Sequence, residues 1–116
     1  MVKQVIEFNL PQKLSTNNIY EGVHWATRKK HKDLFLWGFL EVASKIKPVD
    51  NCCLEFEFEF KQRPLDCDNS SYMVKLLIDC LRHYGKIEDD TPEFIRSIKI
   101  SSTKGKADKV KIIVDN

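Results

Sequence analysis

No stretch of this 116-residue chain is apolar for long enough to cross a bilayer, and its opening residues, "MVKQVIEF", contain no secretory hydrophobic region. The expectation is a cytoplasmic protein with no membrane partner. The four cysteines, Cys52, Cys53, Cys67 and Cys80, form no C-x-x-C pair, which argues against zinc. Cys52 and Cys53 are neighbours, which suits no common disulfide framework, so four reduced thiols are expected. There is no internal repeat, low-complexity tract or long linker. The length suits one domain, residues 1–116, around one core. The net charge of +2 is too small to argue for nucleic acid by itself.

The distribution of charge is more informative. "TRKKHKD" (27–33) sets Arg28, Lys29, Lys30 and Lys32 against Asp33, and "KGKADKVK" (104–111) sets four lysines against Asp108. "EDDTPE" (88–93) holds four carboxylates and no base. Basic segments beside a concentrated acidic one suit a metal-dependent enzyme acting on a polyanion. Solvated basic segments and an acidic loop account for the same pattern.

The periodicity predicts the order β-α-β-α-β-β. "VKQVIEF" (2–8) alternates as a strand, and 9–22 reads as a loop with Pro11, paired asparagines and Gly22. From about Ala26 to Lys47, Phe35, Phe39, Val42 and Ile46 recur at helical spacing until Pro48. "CLEFEFEFK" (53–61) alternates phenylalanine with glutamate, the pattern of a strand buried on one face. Residues 69–84 form the second predicted helix, on Val74, Leu77, Ile78 and Leu81, with Gly85 as its stop. Strands at 94–101 and 109–115 follow, joined around Gly105. The fold class is α+β: a two-layer sandwich of two helices on a four-stranded sheet, mixed or largely antiparallel.

The chemistry concentrates in "PLDCDNSSYMVK" (64–75) and "GKIEDD" (85–90). In an extended segment Asp66 and Asp68 share a side. Lys75 is two helical turns beyond Asp68, on nearly the same face. The loop after Gly85 is expected to fold back and bring Asp90 toward both aspartates. Carboxylates held together repel without a cation. Mg²⁺ takes a few carboxylate oxygens and keeps several waters, which suits phosphodiester hydrolysis. Lys75 would add charge stabilisation. Asn69 is expected to cap the helix or brace the two aspartates, Asp79 to pair with Lys75 along the helix, and Asp89 to stand as the alternate to Asp90. Arg28, Lys29, Lys30, Lys32, Arg63, Lys104 and Lys106 would hold phosphates if the enzyme reading is right. His31 and His83 have no evident partner for acid–base work.

The ordered set "D-x-D-N … K-x-x-x-D-C-L … G-x-x-x-D-D" resembles the RusA-like Holliday junction resolvases, endodeoxyribonucleases often carried by phages and prophages. The matching residues are Asp66-Cys67-Asp68-Asn69, Lys75 with Asp79-Cys80-Leu81, Gly85, and Asp89-Asp90. "STNNIYEGVHWATRKKHK" (15–32) is similar to the family's Asn-rich loop and basic helix, and "STKGKADKVKIIV" (102–114) to its closing hairpin. The resemblance implies a homodimer that cuts four-way DNA junctions symmetrically with Mg²⁺, for which Mn²⁺ substitutes. It implies Asp66, Asp68 and Asp90 as metal ligands and Lys75 as the catalytic lysine. The chain departs from the family's common form in one respect: Lys75 follows the D-x-D-N one helical turn later. A branched-DNA-binding module without catalysis, and a flap or fork nuclease, are the competing expectations.

Overall fold

The structure, a computed structural model, describes residues 3–16 and 25–116. The elements are β1 (Lys3–Asn9), α1 (Trp25–Ala43), β2 (Cys52–Phe60), a 3₁₀ turn (Cys67–Ser70), α2 (Ser71–His83), β3 (Ile95–Lys104) and β4 (Lys109–Asp115). The four strands form one mixed sheet in the order β1-β4-β2-β3. β4 runs antiparallel to both β1 and β2, and β2 runs parallel to β3. This is the expected α+β class with two helices and a four-stranded mixed sheet.

Alternation in the strands builds the core. Along β2, Cys52, Leu54, Phe56, Phe58 and Phe60 are buried, while Glu55, Glu57 and Glu59 are half-buried on the opposite face. Ile6 and Phe8 of β1 and Val110, Ile112 and Val114 of β4 join the buried side. Phe35 and Phe39 of α1 and Val74, Leu77, Ile78 and Leu81 of α2 cover it. On the open face, Glu57 stands opposite Lys111, Glu59 opposite Lys109 and Glu55 opposite Lys99. Cross-strand pairing of opposite charges stabilises such a wetted face without a metal.

α1 ends at Ala43, short of the predicted Lys47. Gln4 of β1 is the reason: its side-chain amide donates to the Lys47 carbonyl at 3.0 Å and its oxygen accepts the Lys47 N–H at 2.8 Å. Those bonds and Pro48 draw the chain out of helical geometry. α2 ends as predicted. Gly85 has φ +73°, its N–H donates to the Arg82 carbonyl, and the Lys86 N–H donates to the Leu81 carbonyl. This paired termination needs a residue that tolerates the left-handed region.

The expected closing hairpin is not present. β3 and β4 lie on opposite sides of β2, and residues 105–108 cross its end. The Gly105 N–H donates to the Phe60 carbonyl at 2.8 Å, and a Cβ at Gly105 would fall 2.0 Å from Glu59 Cδ. Asp108 fixes the crossing, accepting the Lys61 N–H on Oδ1 and the Leu10 N–H on its carbonyl.

This topology decides where the site residues go. β1, β2 and β3 all run one way, so their carboxyl ends gather at one end of the sheet. Both helices begin there. In open α/β sheets this is the end at which ligands bind. The 84–94 loop lies at the other end.

Candidate nucleic-acid and metal site

Asp66 leaves β2's trailing loop with extended backbone, φ −60° and ψ 151°, and precedes the 3₁₀ turn that holds Asp68. The two aspartates therefore do not share one extended segment, as expected from their spacing; the chain turns between them. Both are exposed. Among the described residues neither carboxylate has an ion pair. Asp66 lines a depression of about 260 Å³ with Lys13, Arg63 and Asn69. The Lys13 ammonium donates to the Arg63 carbonyl. Lys104 and Lys106 are exposed at the same end of the sheet, where the Lys106 N–H donates to Glu59 Oε2 at 3.2 Å.

The cap of α2 is not local. Neither Asp66 nor Ser70 makes a side-chain cap hydrogen bond. Thr16, buried in the loop after β1, caps the helix instead: its Oγ1 accepts the Tyr72 N–H at 3.0 Å and donates to the Asn69 carbonyl at 3.0 Å. Its own N–H donates to the same carbonyl at 2.8 Å. Asn69 thus contributes a carbonyl where a side-chain cap was expected. Ser71 Oγ donates to the Asp68 carbonyl at 2.9 Å, tying the 3₁₀ turn to the first turn of α2. Sequence reasoning missed Thr16 because its partners lie more than fifty residues away.

Lys75 is exposed on α2. The expected Lys75–Asp79 pair does not form. Arg82 takes Asp79 at 3.7 Å, and also holds Asp89 at 3.4 Å and Asp90 at 3.7 Å. Arg82 was the second residue missed; its spacing of three from Asp79 was the available signal. The guanidinium draws the acidic loop against α2. The Asp90 N–H donates to Asp89 Oδ1 at 2.8 Å, and this hydrogen bond, aided by Arg82, holds the Asp89 carboxyl below the usual carboxylate range.

Lys75, Asp79 and Asp90 border one groove of about 330 Å³ between α2 and edge strand β3, floored by Val74, Ile78, Ile98 and Ile100. Asp90 therefore borders the same groove as Lys75, whereas the folded-back loop was expected to bring it to Asp66 and Asp68. Asp66 and Asp68 do not line that groove. Ligand oxygens on one Mg²⁺, each about 2 Å from the ion, sit no more than about 4 Å apart. Among the described residues, no three His, Cys, Asp or Glu side chains are grouped to hold a metal. The two exposed, unpaired carboxylates of Asp66 and Asp68 fit a hard divalent ion. Asp90 lines its groove together with Ser71, the first residue of α2.

Lys75 also borders a second, larger cavity of about 680 Å³ between α1 and α2, together with Arg28, Lys29 and Lys32. Lys30 is exposed on α1 outside this lining. The expected partnerless His31 has one: its Nδ1 lies 3.1 Å from the Tyr72 hydroxyl, and the two rings meet edge to face. Burial lowers the His31 pKa and raises that of Tyr72, against the pull of nearby Arg28. Behind them burial pushes the Cys80 thiol up to about 12. All four cysteines are free, Cys67 exposed between the two aspartates. His24 and the Asn-rich segment at 17–24 lie outside the described residues; Trp25 is exposed. Among the described residues no helix is long and apolar enough to cross a membrane. No protein-family model matches the chain, and no curated protein sequence matches it significantly.

Proposed function

We propose that the chain is a Mg²⁺-dependent, structure-selective endodeoxyribonuclease of the RusA-like kind, cutting four-way DNA junctions by paired phosphodiester hydrolysis. The observation that carries this reading is Lys75. Its natural helical partner, Asp79, is engaged by Arg82, so Lys75 has no ion pair among the described residues. It stands between the cation-lined cavity and the groove bordered by Asp90. A phosphate drawn in by Arg28, Lys29 and Lys32 would meet Lys75 next, and its ammonium would offset charge developing on the scissile group. Lys30, Arg63, Lys104 and Lys106 would hold more distant backbone.

Asp66, Asp68 and Asp90 would hold the ion. When bound, Mg²⁺ supplies charge neutralisation and an activated water. The active form would be a homodimer. In it, Asp66 and Asp68 of one copy would meet Asp90 of the other. Ile98, 46% exposed on edge strand β3, adds apolar surface beside the groove. A two-fold dimer would present two such sites to the matching strands of a junction.

One observation favours a second reading, a branched-DNA-binding module without catalysis: Arg82 already neutralises Asp90. The test uses Asp66→Asn and Asp68→Asn on a labelled four-way junction. Each should lower cleavage by at least about a hundredfold while junction binding persists. Cleavage unchanged in both removes the site assignment.

A further inference from the structure

The cavity between α1 and α2 has a character that duplex-backbone binding does not require. Cations rim it, but Leu36, Leu76 and Tyr72 form its walls. Its two acids are already engaged, Asp33 by Lys29 at 3.5 Å and Asp79 by Arg82 at 3.7 Å. Among the described residues Arg28, Lys32 and Lys75 form no ion pair, so the rim carries surplus positive charge. A duplex backbone offers phosphates and sugars to a surface. An apolar hollow of about 680 Å³ beneath such cations suits a group with an anionic end and a flat apolar body.

We propose that this cavity holds one unpaired nucleotide of a DNA strand, its phosphate on Arg28, Lys32 and Lys75 and its base against Tyr72, Leu36 and Leu76. The proposal rests on the DNA-binding reading above and deepens it. Bases in a duplex keep their faces stacked, whereas an unpaired base at a branch point offers its face to a hydrophobic wall. Lys75 borders both this cavity and the Asp90 groove. A nucleotide seated here would leave its phosphate beside the lysine assigned to the reaction. Selection for branched DNA would then come from the presence of an unstacked nucleotide as well as from backbone position.

The experiment measures binding of the full chain to a labelled thymidine oligomer of about ten nucleotides, to a duplex of equal length, and to thymidine monophosphate. Leu36→Trp fills the cavity from a partly exposed position and keeps every cation; Lys32→Glu cancels the rim's surplus positive charge at an exposed site. Leu36→Trp should weaken the single strand about tenfold and leave the duplex within about twofold, with the melting temperature unchanged. Lys32→Glu should weaken both. Equal losses on single strand and duplex, or none on either, overturn the proposal. Thymidine monophosphate binding as tightly as the oligomer marks a free-nucleotide pocket and overturns the strand assignment. Junction cleavage is read separately. A chain that cuts junctions without this selectivity loses only this proposal; one that binds the oligomer through Leu36 without cutting loses only the nuclease reading.

Discussion

Thr16 caps a helix 56 positions away: its Oγ1 accepts the Tyr72 N–H at 3.0 Å, where α2 supplies no cap of its own. This bond joins the loop after β1 to the segment bearing Asp66 and Asp68. Losing an N-cap costs about 1–2 kcal/mol. Thr16→Val, which keeps the shape and removes the hydroxyl, should lose that much in urea denaturation. Thr16→Ser should stay near wild type. Equal losses would assign Thr16 a packing role.

Arg82 organises the acidic loop, and Asp89 reports on it. A carboxyl whose folded pKa is depressed contributes stability at pH values above its unfolded pKa, about 3.9. That contribution is lost as pH falls through the lower folded value. An NMR titration should therefore find Asp89 below the ordinary range, with protection of the 88–90 amides failing only in that acid window. In Arg82→Ala the Asp89 pKa should rise only partway, because the Asp90 N–H, the larger cause, remains.

Cys67 provides a thiol beside the proposed metal ligands. It is exposed, whereas Cys52 and Cys80 are buried and Cys80 is pushed up to about 12. Timed labelling at pH 8 with peptide mapping should modify Cys67 first and leave Cys80 for the unfolded chain. Mn²⁺ should slow labelling of Cys67 in the wild type but not in Asp66→Asn/Asp68→Asn.

Complementary variants test the proposed dimer. Asp66→Asn and Asp90→Asn protomers should each be inactive alone. Mixed, they form heterodimers with one intact site, in which the Asp66 of one copy meets the Asp90 of the other. Single nicks should appear in the mixture. A mixture as dead as its parents would place each whole site within one chain.

Much of the fold was legible because local patterns carried it. The Leu54–Phe60 alternation and the Val74–Leu81 helical stripe each reflect burial on one side, and Gly85 marks a backbone conformation few residues adopt. What was not legible depends on partners distant in sequence. The end of α1 is set by Gln4, the cap of α2 by Thr16, and the partner of Asp79 by an arginine that also holds the acidic loop. The β3–β4 connection reads as a hairpin by its length, and only the pairing of both strands with β2 shows otherwise. At the candidate site, helical spacing placed Lys75 and Asp79 on one face of α2, and both border the groove that Asp90 lines. The capture of Asp79 and Asp90 by Arg82 was not legible, since it depends on a loop that folds back from beyond the helix.

The most direct measurement is incubation of the wild-type chain with a labelled four-way junction and Mg²⁺, beside flap, fork and duplex substrates. Paired nicks at symmetric positions in the junction are expected, abolished by chelation and restored by Mn²⁺. Stable binding of the junction with no product in Mg²⁺ or Mn²⁺ across the pH range would contradict the nuclease reading.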